Sequence, residues 1–159
     1  MDREPLERRV ARALEEAGRV LVTSHPRPDG DAIGSTVAAA RALELMGKQV
    51  SSVNVDPVPR RYRFLAGAER ITAALPAHPV DVTLVLDCSD SRLFPAGFFA
   101  REGLGRLVVV DHHKTPGDLG EVVLRDPRAA AVGVLLYRIF GRLGVELDRP
   151  ICDALFCSI

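Results

Sequence analysis

Apolar residues recur along this chain at two spacings. Leu6, Val10, Ala13, Leu14 and Ala17 stand three or four apart, which predicts a helix over residues 4–17 closed by Gly18. Arg19 to Ser24 then reads as a short buried strand. Helical spacing returns over residues 32–46 through Ile33, Val37, Ala40, Leu43 and Met46, and Gly47 stops it. Val50 to Val55 is a second strand, ended by the Asp-Pro-Val-Pro turn at 56–59. Short helices are expected over residues 60–65 and 70–75. Val82–Leu86 and Leu107–Val110 are unbroken Val/Leu/Thr runs, and 122–125 is a weaker strand. A helix over 129–143 carries Leu135, Leu136, Ile139, Phe140 and Leu143, and a last one begins at Arg149 or Pro150. Strands alternating with helices predict an α/β fold: a three-layer domain with a mostly parallel sheet of about five strands and helices on both faces. Runs that do not alternate fit strands buried on both sides.

Composition narrows the function classes. The 159 residues suffice for one domain with its own core, and 47% hydrophobic with 26% charged residues excludes a disordered tail. Basic and acidic residues balance at 21 each, so no nucleic-acid or membrane surface is announced. Nineteen of the basic residues are Arg, which a GC-rich genome explains as simply as phosphate binding does. Cys88, Cys152 and Cys157 lack CxxC or zinc-finger spacing and read as buried free thiols in a reducing compartment. The charged, amphipathic N-terminus has no signal-peptide core, and no apolar run is long enough to span a membrane. A cytoplasmic location follows as the expectation.

The chemistry gathers at strand ends. The first strand runs into His25-Pro26-Arg27-Pro28-Asp29-Gly30-Asp31, the third ends at Asp87, and the fourth at Asp111-His112-His113. In a parallel sheet these ends share the edge where α/β proteins bind ligands. Each residue alone has a plain structural alternative; Asp31, for example, could cap a helix starting at Ala32. Several carboxylates and imidazoles in one cleft repel and desolvate one another unless cations compensate. Oxygen-rich ligands with a minority of imidazoles suit Mn2+ or Mg2+ rather than zinc, and the imidazoles tilt the choice to Mn2+. Two ions about 3.5–4 Å apart could share a bridging carboxylate. Neither GxGxxG nor a P-loop is present.

These motifs resemble those of the DHH phosphoesterases. The resemblance rests on His25 to Ser35, on Asp87 in Leu86-Asp87-Cys88-Ser89-Asp90, and on Asp111-His112-His113. Asp126 to Gly133 is similar to the following segment in the nanoRNase/pAp-phosphatase branch. It implies that His25 and Asp29 bind a first metal, Asp31 and His112 a second, and Asp87 bridges them. Asp111 would support the histidines, and His113 would face the substrate phosphate as hydrogen-bond donor or proton carrier. Arg92, five residues past Asp87, is a candidate phosphate contact or else a solvated arginine.

Two departures accompany the resemblance. The family's fourth motif supplies a further metal-binding Asp, and the run Ala154 to Ile159 looks like its approach. The chain is therefore expected to be an N-terminal DHH-like domain (1–159) cut before that motif, without the C-terminal domain that closes over substrate; Asp153 is a surface or capping residue. The implied activity is hydrolysis of short single-stranded oligonucleotides, pAp or cyclic-dinucleotide products by a dimetal-activated hydroxide. Alternatives are a pyrophosphatase or exopolyphosphatase acting on phosphoanhydrides, or a metal-binding fragment with little turnover. A homodimer is the general expectation for such an enzyme.

Overall fold

The computed structural model describes residues 4–159. Five strands, β1 (Arg19–Ser24), β2 (Gln49–Val53), β3 (Val82–Leu86), β4 (Arg106–Asp111) and β5 (Val122–Arg125), form one sheet in the order β2-β1-β3-β4-β5. All four pairings are parallel. Helices α1 (Leu6–Glu16), α2 (Gly30–Leu45), α3 (Val132–Leu143) and α4 (Arg149–Ser158) pack with Val20, Val22, Leu84, Leu86, Val108 and Val110 on one face. The opposite face carries Leu21, Val85 and Val109 and is covered by a thinner layer. There the 3-10 helix Ser91–Leu93 leads into a cluster of Phe94, Phe98 and Phe99, whose ring centroids lie 4.7–5.2 Å apart. The three-layer α/β expectation holds, with a 3-10 helix and aromatic loop in place of α-helices on the second face. Right-handed crossovers account for it: connections moving in opposite directions along a parallel sheet lie on opposite faces.

Local differences from the sequence reading have local causes. Asp29, not Asp31, caps α2, accepting the Ala32 N–H at 3.0 Å, so Asp31 sits inside the first turn. Only the 3-10 helices Arg60–Tyr62 and Ala68–Arg70 form between β2 and β3. The expected helix over 70–75 is replaced by extended backbone, where Thr72 pairs with Val53 in a single parallel bridge. The β-branched pair Ile71-Thr72 favours that conformation. Helix α3 starts at Val132, because Ala131 is extended at φ −156° and ψ 163°. Asp148 caps α4, and Asp153 pairs on the surface with Arg149. Cys88 is buried and Cys157 partly so, whereas Cys152 is exposed, against the expectation of three buried thiols. Among the described residues no helix is long and apolar enough to cross a membrane.

Helix α2 is buried nearly all round, between the sheet and α4, and its small residues make that contact close. A Cβ at Gly34 would meet the Ala154 carbonyl oxygen at 2.5 Å and the Ser158 nitrogen at 2.8 Å. Both are backbone atoms of α4 and have little freedom to yield. Gly34→Ala is therefore expected to destabilise, although alanine favours helix. Overpacking of this kind costs about 1–3 kcal/mol. A thermal melt should show it as a drop of roughly 2–4 °C per kcal/mol for a chain of this size.

Candidate metal centre

The strand register builds the site. Ser24 of β1 pairs with Leu86 of β3, and Leu86 with Val110 of β4. The next residue on each strand, His25, Asp87 and Asp111, therefore lies on one row across the sheet edge. Sequential connections diverge between β1 and β3, which makes this the topological switch point of the sheet. The first turn of α2 brings Asp29 and Asp31 to the same edge, and the chain leaving β4 brings His112 and His113.

Two groups of ligand atoms form around Asp87: His25, Asp29 and Asp87 on one side, and Asp87, His112 and His113 on the other. The ring nitrogens reveal how the histidines are oriented. His25 Nδ1 lies 2.8 Å from the Pro26 carbonyl oxygen, and His112 Nδ1 lies 3.1 Å from that of Ala129. A carbonyl only accepts, so both Nδ1 atoms carry protons and both rings turn Nε2 inward. His25 Nε2 is 3.4 Å from Asp87 Oδ2 and 3.8 Å from Asp29 Oδ1. His112 Nε2 is 3.4 Å from Asp87 Oδ1 and 3.5 Å from Asp31 Oδ2. Asp87 thus offers one oxygen to each side.

Asp87 is 3% exposed, and its Oδ1 is buried with no hydrogen-bond partner. A buried carboxylate oxygen with no donor is costly without a cation beside it. Burial raises the Asp87 pKa, the Asp31 charge adds to the rise, and His25 opposes it. His25 is raised to about 9, chiefly by its contact with Asp87, with Pro26 and Asp29 contributing. In the metal-free protein the proton on His25 stands where a cation would compensate the carboxylates. The donor set fits a pair of divalent cations of the oxygen-preferring class.

Three helices hold Asp31. Its Oδ1 accepts the hydroxyls of Ser35, at 2.9 Å, and Ser158, and its Oδ2 accepts the Val132 N–H at 2.8 Å. Asp111 serves His113: its Oδ1 accepts Nδ1–H at 2.7 Å and the backbone N–H at 3.2 Å. Its Oδ2 accepts the Ser89 hydroxyl at 2.7 Å. Burial pushes Asp111 up, but the hydrogen bonds from His113 and Ser89 outweigh it and hold its pKa below the usual carboxylate range. His113, with its side chain 57% exposed, presents Nε2 outward. Burial alone would lower its pKa, yet Asp111 and Asp87 raise it.

The structure brings together His25, Asp29, Asp31, Asp87, His112 and His113, with Asp111 behind them. Asp111 contacts His113 alone of the two histidines, since His112 is held by Ala129. Arg92 stands apart, exposed and engaged with Asp90 at 2.8 and 2.9 Å. Sequence reasoning passed over Asn54, the only asparagine, at the end of β2. Its Nδ2 donates to the Ser24 hydroxyl at 2.9 Å and the His25 carbonyl at 3.0 Å, fixing the turn after β1. The signal was available: a polar residue ending a fourth strand. For Ser158 there was none, because 127 residues separate it from Asp31.

Known proteins are similar to this chain in sequence or in fold. The bifunctional oligoribonuclease and PAP phosphatase NrnA of Thermus thermophilus is 33% identical over 151 residues, covering 94% of this chain and 44% of that protein. An exopolyphosphatase-related protein from Bacteroides fragilis superposes with a TM-score of 0.87 at 21% identity, over 96% of this chain and 48% of its own. RecJ of Thermus thermophilus in complex with Mn2+ superposes at 0.57 with 23% identity, over 94% of this chain and 23% of its own. The two superpositions establish a common fold, and this chain spans less than half the length of each relative. Residues 19–159 match the profile of the N-terminal domain of the DHH family, and the chain belongs to that family.

Proposed function

We propose that the domain hydrolyses phosphoesters of small nucleotides, pAp and short oligonucleotides, with two Mn2+ ions held at the sheet edge. The observation that carries this reading is Asp87, a buried carboxylate with one oxygen toward His25 and Asp29 and the other toward His112, whose Nε2 also faces Asp31. The named activities of the 33% identical relative, oligoribonuclease and PAP phosphatase, support the substrate class. The RecJ structure, determined with Mn2+, supports the choice of ion on the same fold. In this assignment His25 and Asp29 bind one ion, Asp31 and His112 the other, and Asp87 both. A cation pair so placed lowers the pKa of water and stabilises charge on phosphoryl oxygens.

The chain's own groups would do the rest. Asp111 fixes the His113 ring, whose outward Nε2 can hydrogen-bond a phosphoryl oxygen or carry a proton. The backbone N–H groups of the first turn of α2 add partial positive charge at the edge where an anionic substrate arrives. Free cysteines among the described residues support a reducing, cytoplasmic setting. Light scattering would test the homodimer expected on general grounds.

The test is a single-turnover assay with protein in excess over pAp or the dinucleotide pApA, with Mn2+ and with chelator. Release of inorganic phosphate from pAp and of AMP from pApA, both lost with chelator, is the expected result. Hydrolysis of pyrophosphate or tripolyphosphate with neither nucleotide cleaved would move the activity to phosphoanhydrides. A protein that takes up no Mn2+ in titration calorimetry would overturn the proposal.

A further inference from the structure

The C-terminal turn of α4 reaches the site through one hydroxyl, and the helices are shaped around it. Ser158 is 6% exposed, and its Oγ accepts the Gly133 N–H at 3.0 Å while donating to Asp31 Oδ1. It also lies 3.2 Å from the buried Ser35 hydroxyl, which donates to the same carboxylate oxygen. Any side chain at Gly133 would displace it, since a Cβ there would meet Ser158 Oγ at 2.3 Å and its Cβ at 2.9 Å. Gly34 makes the matching space on α2, where a Cβ would meet the Ser158 Cβ at 3.0 Å.

The hydrogen-bond count of Asp31 gives this contact a consequence. Oδ1 is saturated by two hydroxyls. Oδ2 accepts one N–H, from Val132, which leaves one lone pair on the side where His112 Nε2 stands at 3.5 Å. We infer that Ser158 is a positioning residue for Asp31, holding the carboxylate at the angle that aims this remaining lone pair at the ion shared with His112 and Asp87. The inference rests on the proposed metal pair and adds a residue to it. Without the hydroxyl, Oδ1 keeps only the Ser35 bond from its own helix. The freed Gly133 N–H then becomes a buried donor that competes for the carboxylate and turns it away from His112.

The experiment is Mn2+ titration calorimetry of the 159-residue protein, wild type against Ser158→Ala, with electron paramagnetic resonance of the Mn2+-loaded samples and thermal melts without metal. Ser158→Ala is expected to weaken one of two Mn2+ sites about 10–100-fold, the usual consequence of losing a partner that orients a ligand. The spin-coupled pair signal should give way to that of an isolated ion. Ser158→Cys, which leaves no cavity but donates weakly, should act in the same direction. Leu155→Ala, which loosens α4 without touching Asp31, should lower the melting temperature and leave both affinities unchanged. Unchanged affinities in the Ser158 variants overturn the inference, and so does an equal loss of affinity in Leu155→Ala, since packing alone would then explain it. A wild-type protein that binds no Mn2+ removes the metal-pair reading itself and this inference with it. Two ions bound identically by wild type and both Ser158 variants reject the inference alone.

Discussion

Asp87→Ala is expected to abolish tight binding of the Mn2+ pair and to lower turnover of pAp by at least about 100–1,000-fold, the loss typical of removing one charge-stabilising group. The size follows from sharing. In the proposed assignment His25 with Asp29 and His112 with Asp31 each serve one ion, so losing either group would leave the other half standing. Asp87 turns one oxygen to each side, so its loss would degrade both. The melting temperature reads this directly. At a free Mn2+ concentration of roughly 100 Kd, binding to one site stabilises the native state by about 2.7 kcal/mol. For a chain of this size that is roughly 5–10 °C. Wild type should show the shift and Asp87→Ala should not.

Asp87→Asn separates charge from shape. Asp87 sits at φ +56°, in the left-handed region, where its N–H bonds the Val110 carbonyl as the strand ends. Asparagine tolerates that conformation better than alanine, for which it costs about 1–2 kcal/mol. The Asn variant should therefore melt near wild type without metal and fail to respond to Mn2+ as a pair. Two ions retained by calorimetry in either variant would reject the bridging role.

The strands and the gathering of the site's side chains were legible because both follow from local patterns and parallel topology. Val/Leu runs such as Val82–Leu86 can only be strands buried on two faces, and parallel topology then forces His25, Asp87 and Asp111 to one edge whatever their separation along the chain. What was not legible depends on atoms without a sequence signature. Residues 129–131 are three alanines, the strongest helix formers, yet they stay out of α3. The Ala129 carbonyl holds His112 Nδ1, and the extended Ala131 leaves the Val132 N–H free for Asp31. Propensity of a few tenths of a kcal/mol per residue yields to those buried hydrogen bonds. The same limit explains Asp29 and Asp31. Both suit a helix cap by type, and only the fold decides which one caps and which turns inward to be held by three helices.

Mn2+ affinity is expected to rise about tenfold per pH unit from pH 7 toward 9, roughly 100-fold in all, because metal uptake must displace the proton of His25. The metal-free protein holds that proton up to about pH 9, well above the ordinary 6.5, through Asp87 first and then Pro26 and Asp29. A metal ligand needs the bare Nε2, so near pH 7 uptake releases about one proton per protein from this residue. Calorimetry in two buffers of different ionisation enthalpy, under nitrogen, counts it. The stability of the metal-free fold moves the opposite way. A histidine whose folded pKa exceeds its unfolded value contributes stability fully present below about pH 6.5 and lost as pH rises through 9. The metal-free melting temperature should fall across that window, while the Mn2+-saturated protein, whose His25 is already neutral, should fall less. Burial also raises the Asp87 pKa, so Asp87 too contributes stability that is lost as pH rises, and the His25 variant separates the two. His25→Gln should abolish the proton release and leave only the part of the alkaline loss of metal-free stability that other raised groups such as His113 contribute. An affinity that is flat between pH 7 and 9 would mean that the His25 proton is not what a cation replaces, and would remove His25 from the ligand set.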